Sequence, residues 1–472
     1  MTPAAEPGLD GLPTPRRYWA IAAILLSIIV AVLDSSIANV ALPTIARDLH
    51  ADAAGSIWIV NAYQIAVVML LLPLAALGEI VGYRRVSQTG LVIFTLASVA
   101  CALSTTLFEL TLARVLQGVG AGAILSVTSA LVRFTYPQHM LGRAIGINAV
   151  VVSIAAALGP TIASGLLALG DWRWLFGVNV PIGVLAVIIA ATNLPASPKQ
   201  TRRFNLVGAA LTAASFALLI TGLQAFAHGG AGQALGALEL LLAGVCAFVL
   251  IHHERGLAHP ILPFDLLRIP IFSLSVATSI ASFAAQMLAL VVLPFALVRL
   301  GHDPVAIGLL LTPWPLAMGV ASPIAGRLAD KYPAGVLGGV GLIALAAGLA
   351  ALAAISSQHT TFDIVWRMAL CGLGFGFFQA PNNRALLATA PRHRAGAAGG
   401  VLGTARVLGQ SLGAAVAALL FQALPNSAPK VALALAAIIA LAAAGVSMLR
   451  LMRRQERQPA TMTDTGFHAS SD

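Results

Sequence analysis

The sequence predicts an all-α polytopic membrane protein, and three observations support that fold class. Hydrophobic residues make up 59% of the 472 residues, whereas charged residues make up only 9%. A soluble domain carries about 25% charged residues, so this chain has too little polar surface to face water on all sides. The apolar residues form long segments, and most basic residues lie between those segments. Composition therefore excludes a soluble globular enzyme and also a disordered chain, which needs low hydrophobicity and high charge.

Fourteen segments are long and apolar enough to cross a membrane as helices, which takes about 20 mostly apolar residues each. Between the fifth and sixth of them, the sequence offers only Gly170 and Asp171 as a separator. The predicted spans are 18–42, 54–77, 88–105, 109–132, 144–168, 173–194, 205–226, 234–252, 271–299, 304–326, 335–355, 364–384, 398–422 and 430–451.

The basic residues test this order of spans through the positive-inside rule. With the N-terminus in the cytoplasm, 20 of the 27 Lys and Arg residues lie inside and four lie outside, at Arg47, Arg173, Arg299 and Lys430. We therefore expect a multi-pass protein of the cytoplasmic membrane with both termini in the cytoplasm. The net charge of +10 then follows from topology. It needs no nucleic-acid partner, because the bases form small clusters and not one basic face.

The chain also contains an internal repeat. Segments 73–85 and 323–332 each combine a proline and small residues with an acid and bases at the predicted cytoplasmic edge. Segments 114–122 and 367–376 each open with arginine and continue with alternating glycines. Parallel six-helix halves are typical of transporters, with the substrate site between them at mid-membrane.

We therefore divide the chain into seven parts: a cytoplasmic tail, a six-helix half, a cytoplasmic linker, two additional transmembrane helices, a cytoplasmic loop, a second six-helix half and a cytoplasmic tail. In that order, these parts are 1–17, 18–194, 195–204, 205–252, 253–270, 271–452 and 453–472.

Two acids lie well inside predicted spans. Asp34 has apolar residues on both sides, and a carboxylate there costs at least ~2.5–3.5 kcal/mol, so it must face a cavity or a partner. Such a group can load and release protons, or it can be a structural acid satisfied by a hydroxyl or a cation. Glu239, in the second additional helix, either neutralises a cationic substrate or lies near the outer surface in a structural role.

No motif of an enzyme or an ATPase occurs in the chain, which lacks a phosphate-binding loop, a zinc-binding His-Glu-x-x-His and a nucleophile elbow. Cys101, Cys246 and Cys371 are too far apart in sequence to suggest a disulfide framework or a zinc site. We expect no enzyme activity, no metal and no cofactor, and energy from an ion gradient.

Six motifs occur in order along the chain. They are LDSSIANVALP at 33–43, Trp58 with Ala62-Tyr63, LARVLQG at 112–118, Gly159-Pro160, WRWLFGVNVP at 172–181 and TARVLGQSLG at 404–413. Together they resemble the fourteen-span drug:proton antiporters of the major facilitator superfamily (the EmrB/QacA type), over about residues 16–452. The resemblance implies two six-helix halves with two extra central helices, and proton-driven export of amphipathic drugs by alternating access.

The resemblance also implies roles for individual residues. Asp34 would carry the coupled proton, while Arg114 would tune that protonation, bind an anionic group, or simply donate to backbone carbonyls. Gly159 and Pro160 match the antiporter motif of the fifth helix. A conformational latch is expected at Glu79, Gly82, Arg84, Arg85, Asp330 and Lys331, although Ala75, Glu79, Ile80 and Tyr83 depart from the family's usual Gly, Asp and Arg at those positions.

Several polar and aromatic residues are candidates for a central substrate cavity, although each can also bridge or pack helices. They are Asn39, Asn61, Tyr63, Gln64, Asn148, Gln286, Trp314, Gln379, Asn382, Asn383 and Arg406, with Trp58, Phe377 and Phe378 as possible stacking partners. Spans twelve to fourteen contain no acid except Asp363 at an edge, which favours neutral, anionic or zwitterionic cargo, or narrow specificity.

Three functions remain open from the sequence. The first is proton-driven export of drugs, and the second is export of one endogenous metabolite, fatty acid or lipid. The third, a membrane enzyme or scaffold, lacks any cluster of nucleophile, base and metal ligands. The expected partners are a small-molecule substrate, protons and membrane lipid. We expect a monomer, and the sequence leaves open an envelope partner.

Overall fold

The computed structural model is all-helical over the residues it describes, as the sequence predicts. No strand occurs in this part of the chain. The described residues are 11–50, 53–197, 199–201, 203–228, 231–255, 257, 260–302, 304–356, 360–391, 394–424 and 427–455.

The first group of helices contains a tight junction between its second and third members. Gly82 connects α2 to α3 with φ +100°, a backbone conformation that favours glycine, so no loop is needed there. Thr106 and Glu109 form a capping box at the start of α4, which satisfies backbone N–H groups that a helix start leaves free. The helices are α1 (Arg16–Asp48), α2 (Ala53–Val81), α3 (Tyr83–Leu103), α4 (Leu107–Thr135), α5 (Leu141–Leu169), α6 (Trp174–Gly177) and α7 (Asn179–Asn193).

Two helices, α8 (Leu206–His228) and α9 (Ala231–Glu254), follow as a hairpin, and α8 packs against α2 and a later helix, Ala395–Ala423. The remaining helices include a capping box of Thr360 and Asp363, the counterpart of the one at Thr106. They are α10 (Phe264–Leu267), α11 (Pro270–Arg299), α12 (Pro304–Leu311), α13 (Pro313–Leu328), α14 (Ala334–Ala353), α15 (Thr361–Thr389), α16 (Ala395–Ala423) and α17 (Ala428–Gln455).

Thirteen helical segments of the described chain are long and apolar enough to cross a membrane. The 29-residue helix α5 occupies the place of the fifth predicted span. Two predicted spans are divided: the sixth consists of α6 and α7, and the tenth is interrupted at Thr312 between α12 and α13. The short α10 was not predicted; it lies in the segment expected to be a loop.

Close glycine packing defines how the two repeats correspond. A Cβ on Gly118 would lie 2.6 Å from the carbonyl oxygen of Tyr63, and one on Gly372 would collide with the carbonyl oxygen of Trp314. Each glycine lies twelve residues after the threonine of its capping box. In this alignment Met368 corresponds to Arg114, and Arg367 is one position out of register. The buried arginine of the first repeat therefore has no copy in the second.

Helix ends on one side of the bundle connect the first group of helices, α1–α7, with the second group, α11–α17. We call this the termini side, because α1 begins there and α17 ends there. Arg133, near the end of α4, donates to the carbonyls of Leu387 and Ala390 at 2.6 and 2.7 Å. Gly142 of α5 and Gly326 of α13 pack backbone against backbone. The two groups are thus in close contact on the termini side.

Candidate functional site

Asp34 is the centre of a buried polar cluster in the first group of helices. Its exposed fraction is 1%, and Arg114 is fully buried. Arg114 Nη1 donates to Asp34 Oδ2 over 2.5 Å. The amides of Gln117 and Asn179 both donate to Asp34 Oδ1, at 2.9 and 2.7 Å. These three hydrogen bonds, from α4 and α7, satisfy the ionised form of the carboxyl group.

Arg114 is held by groups from three other helices. Its Nε donates to the carbonyl of Ile59 at 3.0 Å, and its Nη1 also lies 2.6 Å from Gln117 Oε1. The guanidinium carbon lies 4.3 Å from the ring centre of Tyr63 and 5.6 Å from that of Phe176. A cation over aromatic rings in a dry site gains roughly 2 kcal/mol. The surroundings therefore stabilise the positive charge of Arg114 beside the Asp34 carboxyl group.

The helix period explains how α4 supplies two members of this cluster. Arg114 and Gln117 are three residues apart, so they lie on the same face of the helix. The Gln117 amide also donates to Ser98 Oγ of α3 at 2.9 Å. Arg114 Nη2 and Asn179 Oδ1 are buried without a hydrogen-bond partner. The cluster thus keeps one unused donor and one unused acceptor beside the carboxylate.

Sequence reasoning selected Asp34 and Arg114 but did not select Gln117, Asn179 or Ser98. Gln117 and Asn179 lie inside the quoted motifs at 112–118 and 172–181, so the only available signal was that motif membership. Their contact with Asp34 depends on how α1, α4 and α7 are rotated against each other. One sequence does not give that rotation.

A cavity of about 160 Å³ lies between the two groups of helices. Its walls are mostly aliphatic, and of the predicted cavity residues Asn148, Gln379, Asn383 and Arg406 line it. Val32, two residues before Asp34, and Val67, four residues after Tyr63, also line the cavity. The cavity and the Asp34 cluster are therefore neighbours along α1 and α2.

Other predicted cavity residues do not line this cavity. Trp314 is buried in the core of the second group, and Asn382 joins α15 to α11 by donating to the Ser275 carbonyl and to Ser279 Oγ. Tyr63 instead packs on Arg114. The sequence showed that these side chains are polar or aromatic, but not that their faces turn towards neighbouring helices.

The other predicted candidates are dispersed. Asn61 and Gln286 are half-buried and Gln64 is exposed, all outside the cavity lining. Among the possible stacking residues, Trp58 is exposed, Phe377 is half-buried and Phe378 is buried. Asn39 and Pro160 lie on helical backbone, but their side chains are outside the described part of the structure, and Gly159 is buried. Glu239 is half-buried, and its Oε2 is buried with no hydrogen-bond partner.

Glu79 connects the two groups on the termini side. It is buried at the end of α2, accepts from the backbone N–H of Ala397 at 3.2 Å, and lies 3.4 Å from Arg394. Arg394 also forms a two-point ion pair with Asp265, at 2.8 and 3.0 Å. We call Glu79, Arg394 and Asp265 the clamp. Arg394 was not among the predicted latch residues, because a basic residue in a loop has no distinctive sequence context.

The remaining latch candidates fall into separate contacts. Arg84 donates to the carbonyl of Ala191, while Arg85 and Lys331 are exposed. Asp330 forms an ion pair with Arg384 at 3.1 Å. A Cβ on Gly142 of α5 would lie 2.7 Å from Asp330 Oδ1, so Asp330 is close to the first group of helices.

Asp265 is the member of the clamp that faces water. Burial opposes its ionisation, but the hydrogen bonds and the charge of Arg394 outweigh that effect and hold the pKa of Asp265 below its ordinary value. The Asp265–Arg394 ion pair therefore stays charged over the physiological pH range.

Across the described residues, no three His, Cys, Asp or Glu side chains are placed to hold a metal ion. The polar groups described above can instead bind a proton at Asp34 and a small molecule in the cavity.

Comparison with known proteins gives a consistent result. A sequence model of the Major Facilitator Superfamily matches residues 24–414 and also 274–469. The chain is 51% identical over 451 residues to Uncharacterized transporter YebQ of Escherichia coli (strain K12). The alignment covers 95% of this chain and 98% of that protein.

More distant relatives have names that specify a cargo. Riboflavin transporter RibZ of Clostridioides difficile (strain 630) is 30% identical over 404 residues, or 85% of this chain and 87% of that protein. Multidrug resistance protein Stp of Mycobacterium tuberculosis is 31% identical over 395 residues, or 83% of this chain and 73% of that protein.

Among solved structures, the human organic anion transporter MFSD10 aligns with a TM-score of 0.68 at 14% identity. The alignment covers 92% of this chain and all of that chain. This similarity concerns the fold only.

Proposed function

Because the chain belongs to the major facilitator superfamily, and is thus a multi-pass membrane transporter and not an enzyme, we propose that it exports amphipathic small molecules in exchange for protons. The observation that carries this proposal is the buried ion pair of Asp34 and Arg114 beside the central cavity. A carboxylate so deep in a membrane protein is expensive, and such residues mark ion and proton pathways.

In this proposal the ion pair converts protonation into movement. A proton on Asp34 removes the charge that holds Arg114, and a buried charge left without its partner costs about 3–5 kcal/mol. The first group of helices then rearranges around α1, α4 and α7, which supply Asp34, Arg114 and Asn179. Val32 and Val67 line the cavity on the same helices as Asp34 and Tyr63, so this rearrangement changes the cavity.

The direction of transport follows from the proposed topology. We take the termini side to be cytoplasmic, because the bases near both termini fit the positive-inside rule, and similarity to the bacterial protein YebQ suggests an inner-membrane location. Arg114 is seven residues from the start of α4, or roughly 10 Å at the helical rise, so the proton site is nearer the opposite side. Protons from outside thus reach Asp34 while the clamp keeps the termini side closed.

Two cargo classes are consistent with the cavity. Its mostly aliphatic walls suit amphipathic drugs, and the name of Stp supports that cargo. The second candidate is one endogenous metabolite, which the name of RibZ supports. We propose drug export first, with the metabolite as the alternative.

Efflux from a pump-deficient bacterial host tests the proposal. Cells that express the protein are loaded with a panel of drugs, dyes and riboflavin, with and without an uncoupler. We expect efflux of at least one compound, sensitive to the uncoupler and lost in Asp34→Asn. The matched control is Asp48→Asn, an acid on the same helix that is exposed and bonded to Trp172. Efflux that is the same in wild type and Asp34→Asn would contradict proton coupling at Asp34.

A further inference from the structure

The central cavity contains one arginine with an unused guanidinium. Arg406 of α16 lines the cavity, and its Nε is buried without a hydrogen-bond partner. Within the described residues, no hydrogen bond or ion pair engages its side chain.

Other buried or half-buried arginines in the structure do have acceptors. Arg114 has Asp34, Arg133 has the carbonyls at the end of α15, and Arg394 has Asp265. An unpaired cation at membrane depth is costly, and such residues face water-filled cavities or bind ions and ligands. The contrast shows that Arg406 is held in the cavity wall without a protein group to neutralise it.

The rest of the cavity wall defines what can pair with Arg406. Among the described residues, no Asp or Glu lines the cavity, so the one arginine supplies the formal charge of the described lining. Asn148, Gln379 and Asn383 add neutral amides, and Gln379 Oε1 is buried without a partner. The remaining surface is largely aliphatic, with one aromatic residue, Phe283. A planar guanidinium with free N–H groups matches the geometry of a carboxylate or other oxyanion.

We propose that the cavity binds amphipathic anions, whose oxyanion group pairs with Arg406 and whose apolar body contacts the aliphatic wall. This inference rests on the proposed export function and narrows its cargo. The amides of Asn148 and Gln379 provide hydrogen bonds for neutral polar groups of the same molecule. A cationic substrate is disfavoured, because it would meet Arg406 without any acid to offset the repulsion.

Equilibrium binding with two matched probes tests the proposal. The anionic probe is 8-anilinonaphthalene-1-sulfonate, and the neutral probe is N-phenyl-1-naphthylamine, the same ring system without the sulfonate. Full-length protein is placed in nanodiscs of uncharged lipid, and empty nanodiscs are subtracted. The variants are Arg406→Gln and Arg406→Lys. The control is Arg367→Gln, a half-buried arginine of α15 that has buried, unpartnered nitrogens but does not line the cavity.

We expect wild type to bind the sulfonate saturably and Arg406→Gln to lose about tenfold in affinity for it, as expected for one charge-assisted hydrogen bond. The affinity of Arg406→Gln for the neutral probe should differ from that of wild type by less than about twofold. Arg406→Lys, which keeps the positive charge but not the planar guanidinium, should bind the sulfonate more tightly than Arg406→Gln, and Arg367→Gln should match wild type. Parallel loss of both probes in Arg406→Gln, unchanged sulfonate binding in that variant, or no saturable sulfonate binding to wild type would overturn the proposal.

The binding measurement needs no ion gradient, so it separates this inference from the proposed function. If proton coupling at Asp34 fails while Arg406 discriminates the probes, the cavity still binds anions. If the probes are not discriminated while Asp34→Asn abolishes export, proton-driven transport stands and the anionic cargo does not.

Discussion

Loss of the Glu79 charge should shift the protein towards a state that is open on the termini side. The perturbation is Glu79→Gln, which preserves the shape of the side chain. Glu79 is buried, and it interacts with Arg394 and with the backbone of Ala397. Hydrogen bonds to charged groups contribute about 1.5–3 kcal/mol each.

The net effect is smaller than the sum of the two Glu79 interactions, because two compensating contacts remain in the variant. Arg394 keeps its two-point pair with Asp265, and the glutamine oxygen can still accept from Ala397. We therefore expect about 2 kcal/mol less stabilisation of the closed termini side, or roughly a 30-fold shift in the open-to-closed ratio. Arg394→Gln should shift the ratio further, since it removes the ion pairs of Arg394 with both Glu79 and Asp265.

Distance measurement by pulsed electron spin resonance reads this ratio. Spin labels at His139→Cys and Tyr332→Cys report on the two groups of helices, because both positions are exposed on the termini side. Cys246 is replaced to avoid background labelling. Glu79→Gln should add a population with a longer distance. Glu109→Gln, an acid on the opposite side that only caps α4, is the control. Identical distance distributions in wild type, Glu79→Gln and Arg394→Gln would refute the clamp as a determinant of closure.

Three further predictions follow from the packing and the charges. Gln117→Met should lower thermal stability in detergent, by about 1–3 kcal/mol at the midpoint, because it removes one of the three buried donors to Asp34 and the amide donor to Ser98; a Tm equal to wild type would contradict the cluster. Gly118→Ala should reduce the yield of monodisperse protein, since its Cβ would meet the Tyr63 carbonyl at 2.6 Å, whereas Gly244→Ala, in open space, should not; equal yields would count against this packing. For Asp265, the folded-state pKa lies below the unfolded value of about 3.9, so its stabilising effect is present above that pH and is lost as pH falls through the folded pKa. The Tm of Asp265→Asn should thus lie below wild type at pH 7 and converge with it near the acid limit, while a constant gap down to that limit would exclude the linkage.

The helices were predictable because a membrane span depends on apolar length, which one sequence displays directly. Asp34 was also predictable, since a lone carboxyl group among apolar residues is conspicuous. Its partners Gln117 and Asn179 were not, because an amide in a span has the same sequence appearance whether it meets an acid or joins two helices. Trp314 shows the same limit from the other direction, since its core position depends on helix rotation.

The clamp illustrates a second limit. The sequence marked the acidic end of α2 but not Arg394, which is distant in the chain and surrounded by other loop bases. Arg114 and Arg367 each open a repeat segment, but the glycine packing and the capping boxes align Arg114 with Met368. The pairing of Arg394 with Glu79, which are far apart in the chain, becomes visible only when the helices are packed.

Proton-coupled accumulation by Asp34→Asn decides whether Asp34 carries the coupled proton. Purified wild type and Asp34→Asn are reconstituted into liposomes with a substrate found by the efflux panel, and accumulation under an imposed pH gradient is compared with substrate exchange at equal pH. We expect Asp34→Asn to lose gradient-driven accumulation and keep exchange, because the amide still fills the site among Arg114, Gln117 and Asn179 but cannot carry a proton. Gradient-driven accumulation by Asp34→Asn at the wild-type level would contradict proton coupling at Asp34.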